Sequence, residues 1–301
     1  FVMILLASGS SGGLTLVPFP ALFRSIGDYA FYGCDSLTSV TIGNSVTTIG
    51  HGAFGCENLE AVHITDLVSW CNIDFINQLT DGRVNLGANP LCNAHNLYLN
   101  GELVTDLVIP DGVNEIKLMA FALCDSIKSV TIPDSVTEIG EWAFYGCYSL
   151  TSVTIGNSVT TIGDVAFYNC SSLTHVTIGN SVTTIGSSAF RDCSSLTSVT
   201  IPDSVTTIGD GAFYNCSSLT SVTIGNSVTT IGSSAFRDCS SLTSVTIPDS
   251  VTTIGDHAFN NCSSLTSVTI PDSVTTIGDH AFNNCSSLTS VTIPDSVTTI
   301  G

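Results

Sequence analysis

The pair Ala-Phe recurs at Phe121, Phe144, Phe167, Phe190, Phe213, Phe236, Phe259 and Phe282, each 23 residues after the last; Phe31 and Phe54 show the same spacing earlier. A chain with a short fixed period does not build one convergent core. Each unit buries its apolar face on the next, which makes a solenoid whose coils touch only their neighbours. The stretch AFRDCSSLTSVTIPDSVTTIG stands twice without a change, at 189–209 and 235–255. Such repetition argues against catalysis, which needs a few unlike residues gathered at one place.

The unit reads L-T-S-V-T-I-P-D-S-V-T-T-I-G-D-x-A-F-x-x-C-S-S, and each part has a physical reading. In LTSVTI, alternation sends Leu196, Val199 and Ile201 inward and Ser198 and Thr200 outward, as in a strand with one buried face. Pro-Asp or Gly-Asn then makes a turn. SVTTI offers a second short strand. Gly with Asp or Ser suits the N-cap of a brief helical turn built on Ala-Phe-x-x-Cys. At about 4.8 Å between paired strands, roughly a dozen coils make a rod on the order of 55–60 Å long.

This pattern resembles the BspA-like leucine-rich repeat family of the Treponema pallidum type, over 24–64 and 104–301. The resemblance implies a mainly β, curved, right-handed leucine-rich-repeat solenoid with 23-residue coils, a parallel sheet on the concave side and short helical turns. It also implies a secreted or surface-attached protein that adheres to host or microbial proteins. Fold transfers well across such a likeness and function poorly.

Two segments depart from the repeat. Residues 1–23 read as a tail or capping segment: FVMILLASGSSGG could be a signal remnant, a cloning remnant or a native strand covering the first coil. Residues 65–103 read as an elaborated coil of the same solenoid, with NLYLNGELVTDLVI forming a hairpin around Asn100-Gly101. This insert is expected to project Trp70 or the loop near Arg83 where a partner could meet it, with packing on the neighbouring coil as the favoured outcome for Trp70 itself.

Of the 12 cysteines, Cys34, Cys56, Cys124, Cys147, Cys170, Cys193, Cys216, Cys239, Cys262 and Cys285 hold the repeat position and read as a buried ladder of small apolar groups. Cys71 and Cys92 stand outside it and are candidates for a disulfide in an oxidising compartment. Asp249, Asp272 and Asp295 make a row of turn carboxylates that could attract Ca²⁺, but Asn157, Asn180 and Asn226 hold the same position elsewhere. His257 and His280 lie one coil apart, as exposed polar residues or a weak metal pair. Asn169, Asn215, Asn261 and Asn284 open Asn-Cys-Ser sequons whose cysteine is buried, which makes them poor glycan acceptors. No metal site and no cofactor is expected.

Enzyme signatures are absent: the sequence contains no phosphate-binding glycine loop, no G-x-S-x-G and no H-E-x-x-H. Six Lys and Arg against 25 Asp and Glu give a net charge of -19, which opposes nucleic acid and anionic lipid. No stretch is long enough to span a membrane. The leading expectation is therefore an extracellular or cell-surface binding scaffold for host or microbial proteins or glycans.

Two surfaces are candidates for ligand binding. One is the edge row Tyr145, Tyr168, Arg191, Tyr214 and Arg237, where stacking would put Arg191 between two tyrosine rings. The other is the concave face, with Ser152, Thr154, His175, Thr177, Ser198 and Thr200. A different class of reading is end-to-end self-association, since the chain stops at Gly301 where another turn would begin. A third is ice binding by the hydroxyl rows that run from Ser198 and Thr200 to Ser290 and Thr292.

Overall fold

A computed structural model describes residues 6–7, 14–15, 24–76 and 86–301. The chain is a mainly β parallel solenoid, and two ladders of short strands run along it. The first is the Ser/Thr sheet, built from the S-V-T segments: Ser152↔His175 and Val153↔Val176 pair in parallel register, as do Ser198↔Ser221 and Val199↔Val222. The second is the Thr-Ile ladder, nine strands from Glu115–Ile116 to Thr299–Ile300 in unbroken order. A shorter Thr-Ile ladder joins Ser25–Ile26, Thr48–Ile49 and Asp74–Phe75. At the N-terminus, Leu6–Ala7 pairs antiparallel with Leu14–Thr15.

Between the ladders the core is a set of identical columns. Phe144 and Phe167 stack with centroids 5.1 Å apart at 3°, and Phe190 and Phe213 at 5.3 Å and 5°. Val, Ile, Leu, Ala and Cys of the interior coils are buried on their copies above and below, Val176 only partly, while Cys34 at one end and Val291 and Ile293 at the other are exposed. Coils approach closely where T-T-I-G turns. A Cβ on Gly186 would lie 2.6 Å from Asp164 Oδ1 and 2.7 Å from its backbone nitrogen, so only hydrogen fits there.

The expected helical turn is not a helix. Across 163–170, Ala166, Tyr168 and Cys170 donate their N–H groups three residues back, to Gly163, Val165 and Phe167. The alternate groups leave the coil: Val165 donates to Ser187 O, Phe167 to Ala189 O and Asn169 to Arg191 O, at 2.7–2.9 Å. A true helix would direct all of them to residues four back. The alternation needs a left-handed residue at every fourth position, supplied by Val165 (φ 60°) and Asn169 (φ 58°) in this coil and by Gly211 (φ 62°) and Asn215 (φ 56°) two coils on. The expected N-cap is likewise redirected, for Asp164 Oδ1 accepts the amide of Ser187 in the next coil at 2.7 Å.

Both ladders break at the irregular coil, and the buried core alone runs through it. Helix α1 (Leu67–Cys71) is capped by Asp66, whose carboxylate accepts Ser69 N–H at 3.0 Å, and α2 (Leu91–Ala94) starts after Pro90. Asn89 is fully buried between coils. It donates to Met119 O at 2.7 Å and Ala120 O at 3.3 Å, and accepts Leu91 N–H at 2.9 Å. The hairpin at Asn100-Gly101 forms as expected, both residues having positive φ, and joins Leu97–Leu99 to Glu102–Leu103.

Candidate functional site

Hydroxyl groups are not equivalent around a coil. Thr151, Thr174 and Thr220, one step before the Ser/Thr strands, donate to the carbonyls of Lys128, Thr151 and Thr197 in the preceding coil at 2.9–3.0 Å. Thr160, Thr183 and Thr206, before the Thr-Ile strands, do the same at 3.1–3.2 Å. Ser204 and Ser250 donate to Val182 O and Val228 O. These rows bind coil to coil.

The outward row of the Ser/Thr sheet is different. Among the described residues, none hydrogen-bonds the hydroxyls of Ser152, Thr154, Thr177, Ser198 or Thr200, and all but the half-buried Ser152 are exposed. His175 is exposed as well, with Nδ1 2.8 Å from Thr174 Oγ1. These six candidates do not lie on one continuous sheet, however. Strand pairing stops between His175–Thr177 and Ser198–Thr200, while the Thr-Ile ladder behind them stays continuous.

The edge row forms in the expected order. Tyr145 and Tyr168 stack at 5.3 Å, and the Arg191 guanidinium carbon lies 5.6 Å from the Tyr168 centroid and 4.3 Å from that of Tyr214. Arg237 lies 5.6 Å from Tyr214 on its other side. All five residues are half-buried, not fully exposed as free variation at this position suggests. Their polar groups are also partly engaged. Asp192 lies 3.5 Å from Arg191 Nε and accepts Asn215 Nδ2 at 2.8 Å, and Asp238 serves Arg237 and Asn261 in the same way. Burial pushes the Tyr168 and Tyr214 hydroxyls above their ordinary pKa, and hydrogen bonds to Asp192 and Asp238 add to the rise.

The repeat cysteines do more than fill space. Cys170, Cys193 and Cys216 each donate Sγ–H to the phenylalanine carbonyl of the preceding coil at 3.2 Å, as do Cys147, Cys239, Cys262 and Cys285 at 3.1–3.2 Å. Burial pushes these thiols up, and it pushes that of Cys124, whose Sγ lies 3.4 Å from Ser126 Oγ, to about 11. The candidate Cys71–Cys92 bridge is not formed. Both are free thiols on separate helices, Cys71 buried beside Trp70 in α1 and Cys92 in α2 near Ala122 and Cys124.

Trp70 packs on the neighbouring coil, the favoured outcome: it is 1% exposed, and Nε1 donates to Ala120 O at 3.0 Å. The loop near Arg83 lies outside the described residues. His257 and His280 sit with ring centroids 5.0 Å apart, and among the described residues no group of three or more metal-ligating side chains gathers. The sequon amides of Asn215, Asn261 and Asn284 donate to Asp192, Asp238 and Asn261 of the preceding coil.

Sequence reasoning passed over one group. His63 and Tyr98 stack at 4.8 Å on the outer side of the Ser/Thr sheet, in the row where Thr41 stands one coil earlier. Leu103 lies directly opposite Tyr98 and is 42% exposed, and Val108, paired with Thr131, is 61% exposed. The available signal was the loss of Thr from that row at these positions.

The model of the BspA type leucine rich repeat region matches residues 9–78, 94–219 and 206–301, in 6 copies. The chain belongs to the BspA-type leucine-rich repeat family. Its fold is similar to that of a leucine-rich repeat protein from Eubacterium ventriosum, at 25% identity and a TM-score of 0.60, covering 91% of this chain and 77% of the other. A leucine rich cell surface protein from Faecalibacterium prausnitzii is 28% identical over 94% of this chain and 91% of its own, with a TM-score of 0.44. The leucine rich repeat protein of T. pallidum is 29% identical over 62% and 78%, with a TM-score of 0.47. Among curated proteins none matches the chain. As a BspA-type repeat protein the chain has no helix, among the described residues, long and apolar enough to cross a membrane.

Proposed function

We propose that this BspA-type protein is a non-catalytic binding scaffold, secreted or displayed at the cell surface, that holds a protein or glycan ligand across the outward face of its Ser/Thr sheet. One observation carries the reading. The hydroxyl rows elsewhere on the coil close bonds between coils, whereas Thr154, Thr177, Ser198 and Thr200 keep their donors and acceptors for something outside the chain. Uncharged hydroxyls at one-coil spacing suit many weak contacts summed over a long surface, with no single deep pocket. Burial also keeps the ladder thiols neutral, and neutral thiols are slow to oxidise, which suits an extracellular setting.

The test is a printed array of matrix proteins, bacterial surface proteins and glycans, probed with the wild-type chain and with the combined variant Thr154→Glu, Thr177→Glu, Thr200→Glu. Ligands captured by the wild type should be lost at least tenfold by the variant. Undiminished capture of every ligand by a folded variant removes the Ser/Thr face from consideration.

A second contact surface is favoured by Arg191, whose guanidinium is held between the rings of Tyr168 and Tyr214. Arg and Tyr are enriched where proteins meet partners. Replacing Tyr168, Arg191, Tyr214 and Arg237 together by Ser should weaken capture of a protein ligand if this edge takes part. Unchanged capture leaves the row as a brace for the stack.

A further inference from the structure

We infer that the free edge of the Asp106–Val108 strand is a docking site for an extended polypeptide segment of a partner protein, taken up by strand addition. This goes beyond the preceding reading, because it concerns backbone groups at a break in the sheet and not the hydroxyl face.

The break follows from the hairpin. Leu97–Leu99 continues the parallel sheet from Ala61–Ile64, and Glu102–Leu103 folds back on it antiparallel. The chain then reverses at Val104 and Thr105, and Asp106–Val108 begins a new sheet, paired with Ser129–Ile132 alone. Glu102–Leu103 and Asp106–Val108 belong to different sheets, so each has one edge without a neighbouring strand.

Backbone directions show what that edge offers. Thr105 O accepts from Lys128 at 2.7 Å and from Ser129 at 3.2 Å, and Ile109 donates to Thr131 O at 3.0 Å. Successive peptide groups of a strand point to opposite sides. Asp106 and Val108 therefore aim their N–H and C=O groups away from Ser129–Ile132, and no described residue bonds to them there. A row of unpaired donors and acceptors at strand spacing is matched by another extended chain, because main-chain bonds supply affinity and alternate side chains supply choice.

The side chains beside the edge define that choice. Val108 is exposed in the row that carries Thr131 one coil on, and Leu103, exposed as well, stands opposite Tyr98 of the His63–Tyr98 stack. An entering segment would lay an aliphatic or aromatic side chain on Val108. Glu102 and the exposed Asp106, whose carboxylate is held by Ser129 and Thr105, disfavour acidic segments. The net charge of -19 disfavours a second copy of this chain as the occupant.

The probe is a fluorescein-labelled peptide, Lys-Leu-Thr-Ser-Val-Thr-Ile, which copies the strand that this sheet accepts at its other positions. It is titrated with the full chain and followed by anisotropy. We expect saturable binding that Val108→Pro weakens at least tenfold. Proline deletes the outward N–H but keeps the bonds to 128–131, so circular dichroism and melting should change little. A peptide N-methylated on alternate residues should fail in one register and bind in the other, which tests the edge without altering the protein. The Thr154→Glu, Thr177→Glu, Thr200→Glu variant should bind the peptide as wild type does, which separates this inference from the Ser/Thr-face reading. Equal affinity for the Val108→Pro chain, or no binding at millimolar protein, overturns it. A dimer in light scattering that Val108→Pro abolishes also overturns it, by assigning the edge to a second copy.

Discussion

Raising the pH should unfold this protein through its cysteine ladder well before ordinary alkaline denaturation. Cys147, Cys170, Cys193, Cys216 and Cys239 are fully buried, and burial raises their pKa far above the ordinary thiol value. The folded state thus binds protons that the unfolded state gives up above about pH 8.5. A raised folded pKa means that the stabilisation is complete below that pH and is lost as pH rises through it. At pH 9.5 the unfolded thiol is about one pH unit past its midpoint, so each buried thiol costs about 1.4 kcal/mol of stability. The five together cost about 7 kcal/mol, comparable with the whole stability of many domains. Urea titrations followed by circular dichroism at pH 7.5, 8.5 and 9.5, with a phosphine reductant present, should show the midpoint falling steeply over the last step. Replacing Cys193 with Ala should reduce that slope by one proton, because the remaining thiols are unchanged. A midpoint that stays flat to pH 9.5, or a slope indifferent to the loss of Cys193, refutes the argument.

Val165→Gly should raise stability by about 1 kcal/mol, since a β-branched residue at φ 60° is strained and Gly211 holds the same position two coils on; the urea midpoint reads the gain. Asn89→Ala should cost about 3 kcal/mol or more, because it leaves Met119 O and the Leu91 amide without their buried partner; hydrogen exchange should show the loss around α2 before the C-terminal coils respond. Arg191→Ala should cost about 1–2 kcal/mol by removing contacts to two tyrosine rings, and the cost should shrink to near zero when Tyr168 and Tyr214 are already Ser.

The 23-residue period made much of this molecule legible. In a regular stack, residue i stands beside residue i+23, so the phenylalanine columns, the buried cysteine ladder and the place of Arg191 between Tyr168 and Tyr214 follow from spacing alone. Local propensity misled in the Ala-Phe-x-x-Cys segment. Helix and N-cap rules assume that backbone groups find partners within the segment, whereas here every second N–H, and the Asp164 carboxylate, reaches the next coil. The irregular coil was legible only in outline, as a hairpin around Asn100-Gly101. The Ala120 carbonyl as partner of the packed Trp70, the separation of Cys71 from Cys92 and the open edge at Val108 depend on how much chain must fit between two coils of fixed spacing. Periodicity determines which residues repeat as neighbours. Where the period breaks, only packing between coils decides which groups are covered and which strand is left without a partner.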